Sequence, residues 1–391
     1  MTRDLIKKRV ILAVTGIRSD YDILSSVYRA IDHDDRLELK VAATGAHLSH
    51  AFGYTLADIK SDGFIVVDEI ESLLSGDYNS SRVKGLAIQL QGLVQTVTRV
   101  KPDILLVLGD REESISTALV GAYMNIPVAH IGGGDRVVGN VDDQVRHAVT
   151  KLAHIHLVTN DESEERIIRL GEQEFRVFNV GNPGLDRILD EPYLNHSMLS
   201  ENIGFSIKKD EPFVIVIQHL LSTESREGYN QMKCTLEALE EIGVKVVLSY
   251  PNSDAGSSEL LRAIREYEDL PFLHSAKNIP RIDFINLLRL TSCLVGNSSA
   301  GILEAPILKI PVVNIGNRQH GRLHAENVEF IPHDKNLIMK YVRRAIFDEN
   351  YKNSLLTCSN PYGDGKSSKR IADILATITI DKELIIKDIT Y

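Results

Sequence analysis

Carboxylate, guanidinium and hydroxyl side chains gather in this chain at the ends of short apolar runs. Leu108-Gly109-Asp110-Arg111 places an acid and a forked cation together. Val295-Gly296-Asn297-Ser298-Ser299-Ala300-Gly301 places several backbone N–H groups and two hydroxyls where a helix-like segment opens. A helix N-terminus carries unpaired N–H donors and partial positive charge, so the second motif is predicted to bind phosphate. Two such motifs predict two nucleotide-scale sites facing each other, and point to sugar-nucleotide chemistry.

Two further loops and one helix carry similar chemistry. Thr15-Gly16-Ile17-Arg18-Ser19-Asp20 follows the first apolar run. Its glycine lets backbone approach a ligand and Arg18 offers a forked phosphate donor. The plainer alternative is a strand-to-helix turn with Asp20 as N-cap and Arg18 in solvent. The pattern is not GxGxxG, so the dinucleotide fingerprint is absent. His130-Ile131-Gly132-Gly133-Gly134-Asp135 ends another run, and three successive glycines fit the close approach of a ligand or partner backbone better than packing. Asp142 and Arg146 stand four apart on a predicted helix, which alone describes a surface ion pair worth roughly a few tenths of a kcal/mol.

In the second half, His219 closes a run at 213–217. An imidazole there can donate to phosphate or exchange a proton near neutral pH, although a lone histidine is more often structural. The 250–256 loop, which contains Asn252, is rich in turn formers. Glu304 lies beyond Ser298 and Ser299, where a carboxylate beside phosphate makes sense as an acceptor for ribose hydroxyls.

Positioning these residues requires alternating strands and helices. Apolar runs at 10–14, 37–43, 64–67, 104–108, 128–131 and 155–158 predict strands, and helical patterns fall at 21–31, 86–100, 115–124 and 143–152. The runs are near-continuous rather than alternating, as in parallel strands covered on both faces. After the turn-rich cluster at 179–184 the alternation restarts with strands at 213–217, 244–248, 293–295 and 312–315. The expected fold class is therefore α/β, two Rossmann-like doubly wound domains facing a central cleft. The expected division is 1–184, carrying the carboxylates, 185–366, binding the nucleotide, and a tail at 367–391 whose amphipathic helix packs back on either half.

Composition narrows the partners. The 391 residues are 43% hydrophobic and 25% charged, ordinary for a soluble protein, and the net charge of −10 opposes binding to nucleic acid. Three scattered cysteines, Cys234, Cys293 and Cys358, predict neither disulfides nor a thiolate metal site and fit a reducing cytoplasm. No run approaches the ~20 apolar residues of a membrane span, and no metal or cofactor is called for.

In their joint order, these motifs resemble the UDP-N-acetylglucosamine 2-epimerase family, in its hydrolysing, sialic-acid-pathway branch. The resemblance runs from Thr15-Gly16-Ile17-Arg18 through Gly109-Asp110-Arg111, Asp142-Asp143-Gln144-Val145-Arg146-His147, Gln218-His219, Pro251-Asn252-Ser253-Asp254 and Gly296-Asn297-Ser298-Ser299 to Gly316-Asn317-Arg318-Gln319 and Tyr362-Gly363-Asp364-Gly365. It implies a glycosyltransferase-B architecture and a homodimer or homotetramer. It also implies a reaction in which the sugar's C2 proton is removed, UDP leaves as a glycal forms, and water adds with inversion at C2, giving N-acetylmannosamine. By motif matching, Asp110 and Asp142 are the acid/base residues and Arg146 their electrostatic partner. Arg18, Arg111, His219, Asn252, Ser298, Ser299, Glu304 and Arg318 then line the UDP, with Glu304 on ribose.

One position departs from the family pattern. Many members carry Glu, or in some His, where this chain has Gly132, and the chain has an extra residue before Asp142, which leaves Asp135 to take that role or the substrate to differ. A glycine makes room for a bulkier sugar, so a UDP-2,4-diacetamido-2,4,6-trideoxyhexose is the rival substrate. A glycosyltransferase of the same architecture is the rival activity. Arg262 and Arg265 match arginines of a feedback site in the animal enzyme, with plain helix-surface charge as the alternative.

Overall fold

The aliphatic runs form thirteen strands among the described residues, interleaved with helices. The computed structural model describes residues 7–74, 79–136, 141–221, 224, 226–251, 257–277 and 279–391. The chain divides into two units, Met1–Arg187 with Tyr362–Tyr391, and Ile188–Pro361. The first boundary falls after Arg187 rather than after Gly184, and the return begins at Tyr362 rather than at 367.

In unit 1 the order is β1 (Arg9–Thr15), α1 (Arg18–Asp32), β2 (Leu37–Thr44), α2 (Leu56–Ser61), β3 (Val66–Ile70), α3 (Asn79–Val100), β4 (Ile104–Leu108), α4 (Glu112–Met124), β5 (Val128–Ile131), α5 (Val141–Leu152), β6 (Ile155–Val158), α6 (Asp161–Arg169) and β7 (Val177–Asn179). All strands pair in parallel, in the order β3-β2-β1-β4-β5-β6-β7. Strand β1 shows why its sequence is unbroken in hydrophobicity. Ile11 and Ala13 pack with Leu24 and Val27 of α1 on one face, while Leu12 and Val14 pack with Leu93 and Val97 of α3 on the other. Burial on both faces removes the polar alternation of a half-solvated strand.

Helix α7 (Asp186–Asp190) leads into unit 2: α8 (His196–Ile203), β8 (Phe213–Ile217), α9 (Gly228–Ile242), β9 (Lys245–Ser249), α10 (Ser257–Tyr267), β10 (Leu273–Ala276), α11 (Arg281–Leu290), β11 (Cys293–Gly296), α12 (Ala300–Leu303), β12 (Val312–Ile315), β13 (Val328–Ile331), α13 (Lys335–Phe347) and α14 (Glu349–Leu355). Its six strands are also parallel, in the order β10-β9-β8-β11-β12-β13. The strands that sequence periodicity does not predict, β7, β10 and β13, all lie at sheet edges. Each is half-exposed, so it lacks the continuous apolar run of an inner strand.

The terminal helices α15 (Ser367–Thr377) and α16 (Lys382–Ile385) belong to unit 1. Helix α15 packs on α1, and its first N–H groups, from Ser367 and Ser368, donate to the Asp186 carboxylate at 3.0 and 2.6 Å. Fully buried Arg176 donates to the carbonyls of Leu384 and Ile386 at 2.5 and 2.8 Å. Lys387 Nζ donates to the carbonyls of Thr150, Lys151 and Ala153 at the end of α5. The tail is thus tied into the unit by charged donors rather than by apolar burial alone.

Candidate active site

Each sheet reverses its strand order at one point, β1/β4 in unit 1 and β8/β11 in unit 2. Loops after strands at such a switch diverge and leave a crevice for ligand. Arg18 follows β1 and Asp110 follows β4; His219 follows β8 and Ser298-Ser299 follow β11. Arg18, Asp110, His219, Ser298 and Ser299 thus follow the strands at which the order reverses, whereas Asp135, Asp142, Arg146, Glu304 and Arg318 lie after other elements or on α5.

In unit 1, Gly109 takes a left-handed backbone (φ 76°) that turns the chain before Asp110. Arg111 is the N-cap of α4, and Glu112 and Glu113 fill its first turn. Arg146 extends from α5, donates through Nη2 to Asp110 Oδ2, and donates through Nη1 to the Gly132 carbonyl at 2.6 Å. It is buried, so the surface ion-pair reading of Arg146 does not describe it. Burial raises the Asp110 carboxyl above the usual range; Arg146 opposes this and Asp142 adds to it. A carboxyl so balanced between a cation, a second carboxylate and a drier setting is suited to proton transfer. His130 supports the same loop: its Nε2–H donates to the Gly109 carbonyl at 2.7 Å, and burial lowers its pKa to about 3, keeping it neutral.

Asp135 sits otherwise. Its Oδ1 accepts from Thr159 Oγ1 at 2.7 Å and Ser163 Oγ at 2.6 Å, tying the glycine loop to the start of α6. Oδ2 lies 3.9 Å from Arg146 Nη1. Gly132 adopts φ 73°, a conformation that L side chains rarely hold, which accounts for the missing acid. A Cβ there would face Arg146 Nη1 at 3.6 Å and Asp135 Oδ2 at 3.7 Å, so the space beside it is lined by those two groups.

Arg18 opens α1, largely exposed, with Nε 3.9 Å from Asp22. Ile17, not Asp20, is the N-cap. Asp20 instead lies close enough to Glu113 for its charge to raise that carboxyl, and burial raises both. Neither was singled out for chemistry from the sequence; acids in a helix's first turn ordinarily signal dipole complementarity.

In unit 2, Asn297 is the organiser. It is buried, its Oδ1 accepts from the His219 N–H at 2.7 Å, and its Nδ2 donates to the His219 carbonyl at 2.9 Å. Its own carbonyl accepts from Arg318 Nη1 and Gln319 Nε2, each at 3.0 Å. Through its side chain and its carbonyl, one residue thereby holds together the loops after β8, β11 and β12. Ser298 Oγ accepts from the Ala300 N–H at 3.2 Å, and the helix that follows, α12, has only four residues. The expected helix-dipole contribution is correspondingly small, leaving hydroxyls and turn N–H groups as donors. Glu304 closes α12; burial raises its carboxyl and Arg281 opposes that shift. Asn252 lies outside the described residues. Arg262 pairs with Glu259 at 2.9 Å and covers the Tyr229 ring, as helix-surface charge does.

Comparison with known proteins bears on the family and the fold. A sequence profile of the UDP-N-acetylglucosamine 2-epimerase family matches residues 29–376. A Legionella pneumophila protein named UDP-N,N'-diacetylbacillosamine 2-epimerase (hydrolyzing) is 34% identical over 98% of this chain and 100% of its own. A Campylobacter jejuni GDP/UDP-N,N'-diacetylbacillosamine 2-epimerase (hydrolyzing) is 31% identical over 83% of this chain and 84% of its own. Among solved structures, the UDP-GlcNAc 2-epimerase from Neisseria meningitidis, bound to UDP-GlcNAc, superposes with a TM-score of 0.78 at 19% identity, covering 94% of this chain and 99% of that one. The fold is that of two Rossmann-like domains of the glycosyltransferase-B type.

Proposed function

The chain belongs to the UDP-N-acetylglucosamine 2-epimerase family and is an enzyme of its hydrolysing UDP-sugar type, and from that premise we propose that it converts UDP-2,4-diacetamido-2,4,6-trideoxyhexose and water to UDP and the free sugar inverted at C2. The observation that carries the chemistry is the buried Arg146 donating to both Asp110 and the Gly132 carbonyl. In the first step a carboxylate removes the C2 proton, the C1–O bond breaks, and UDP departs with that electron pair, leaving a C1–C2 double bond. In the second step a carboxyl gives a proton to C2 from the opposite face, water adds its oxygen to C1, and the proton that the water sheds passes to a carboxylate. Asp110 and Asp142 serve as the acid–base pair and Arg146 holds their charge. Arg18, Arg111, His219, Ser298, Ser299 and Arg318 stabilise the departing diphosphate, with Glu304 accepting from ribose.

The sugar is favoured by the names of the Legionella and Campylobacter relatives and by Gly132, whose missing side chain leaves room beside Arg146. The second reading keeps the same residues and takes UDP-N-acetylglucosamine to N-acetylmannosamine for sialic-acid-type sugar synthesis, as the motif resemblance implies. Proton NMR in heavy water with each UDP-sugar separates them. Free, C2-deuterated, inverted sugar with UDP is the expected product, formed faster from the diacetamido substrate. A higher kcat/KM for UDP-N-acetylglucosamine establishes the second reading, and UDP-linked product or no deuterium at C2 refutes both.

A further inference from the structure

Beside the Asp110 cluster, unit 1 contains a cavity of about 230 Å³ at the carboxyl ends of β1, β2 and β4. It shares Gly16, Ile17 and Arg111 with the loops that carry Arg18 and Asp110. Leu73, Leu74 and Leu86 give it apolar walls, and Glu113 lines it. Most polar groups around it are satisfied internally. Ser72 Oγ donates to Gln89 Oε1 at 3.0 Å, Gln89 Nε2 donates to Ser116 at 2.9 Å, and Arg82 donates to Glu112 at 2.7 Å. Glu113 is the exception. It is 5% exposed, and its Oε1 has no hydrogen-bond partner, the nearest cation being Arg111 Nε at 4.0 Å. Gly16 leaves the space its carboxyl occupies: a Cβ on that residue would lie 2.5 Å from Oε2.

Burial raises the Glu113 carboxyl and the nearby Asp20 charge raises it further, to about 8, so at neutral pH Glu113 is held as the protonated acid. A protonated carboxyl both donates and accepts, which is the pattern an amide presents in reverse.

We propose that this cavity seats an acetamido group of the UDP-sugar, with the Glu113 carboxyl hydrogen-bonding the amide and the leucine walls taking its methyl group. The inference rests on the function proposed above. It identifies the acyl-amino substituent as what the cavity reads, and it makes Glu113 and Asp20 specificity determinants rather than acid–base residues. A neutral side chain of the same shape should then serve as well as the acid, which a carboxylate acting by charge would not permit.

Titration calorimetry with UDP, UDP-glucose, UDP-N-acetylglucosamine and the UDP-diacetamido sugar tests this on the wild type and on Glu113→Ala, Glu113→Gln and Ser81→Phe. Ser81 lines the cavity on its α3 side, so the last variant fills it without altering the carboxyl pair. The wild type is expected to prefer acetamido sugars over UDP-glucose. Glu113→Ala and Ser81→Phe are expected to lose that preference by about tenfold with UDP affinity unchanged, while Glu113→Gln keeps it within about threefold. Loss for both acetamido sugars assigns the C2 substituent; loss for the diacetamido sugar alone assigns C4. No preference in the wild type, or an undiminished preference in both cavity variants, overturns the proposal. Binding needs no turnover, so the two readings fail separately. Acetamido preference without epimerisation refutes the proposed function alone, and epimerisation with an untouched preference refutes the cavity alone.

Discussion

Asp110 has its charge governed by three neighbours, and the balance makes its removal diagnostic. Burial and Asp142 favour the protonated form, while Arg146 favours the carboxylate. Asp110→Asn keeps the shape and a partner for the loop but cannot exchange a proton, so turnover should fall at least about 10²-fold, the usual contribution of a positioned acid or base. UDP affinity should change little, because the diphosphate groups assigned to unit 2 are untouched. Wild-type-like kcat in the NMR assay removes Asp110 from the chemistry. Glu304 makes the opposite prediction. With burial raising its pKa, its value lies in accepting from a ligand hydroxyl, and Glu304→Ala should weaken UDP binding about tenfold. An unchanged calorimetric Kd refutes the ribose role.

At the scale of elements, the glycine loop after β5 is where backbone geometry overrides the family pattern. Gly132 at φ 73° and Gly134 at φ 80° are both left-handed, and a Cβ on Gly134 would strike the Ser163 carbonyl at 2.5 Å. Gly132→Ala meets no such clash, so its cost should be the left-handed backbone alone, about 1 kcal/mol by thermal or urea unfolding. It should also raise KM more for the diacetamido sugar than for UDP-N-acetylglucosamine; equal KM changes would dissociate the glycine from sugar choice. The sequence made the inner strands legible, because two-faced burial writes itself as an unbroken apolar run, as Ile11 to Val14 shows. It also drew attention to Asp110, His219 and Ser298, since polar residues at strand ends are exceptions to that pattern; Arg146, inside α5, stood out only through the joint order of the motifs. The edge strands β7, β10 and β13 left no such trace. Nor did Asn297 and Glu113, whose importance comes from partners far along the chain: Asn297 reaches His219, and Glu113 meets Asp20. No local period encodes such a meeting.

For the whole molecule, buried histidines set the response to acid. His47, His154 and His156 have pKa values lowered by burial to about 4, and His130 to about 3. All four lie in unit 1. Because the folded values fall below the unfolded value of about 6.5, the unfolded chain binds more protons through this window. Stability is therefore complete above about pH 6.5 and is lost as pH falls toward the folded values, at up to about 1.4 kcal/mol per pH unit for each histidine. Glu172, held to about 2 chiefly against burial by His156, Lys151 and Lys387, extends the loss below pH 4.5 in the same direction. Urea unfolding at pH 7.5 and 5.5 should show this decline, and it should track loss of unit 1, whose β5 and β6 carry His130 and His156. His130→Gln retains a donor for the Gly109 carbonyl while removing one titrating group, so its stability should fall less steeply by about one proton's worth. An unchanged slope would mean that His130 is already charged in the folded protein. The Gly109–Asp110 loop would then rest on an imidazolium rather than on a neutral ring, and acid would be expected to alter turnover before it altered stability.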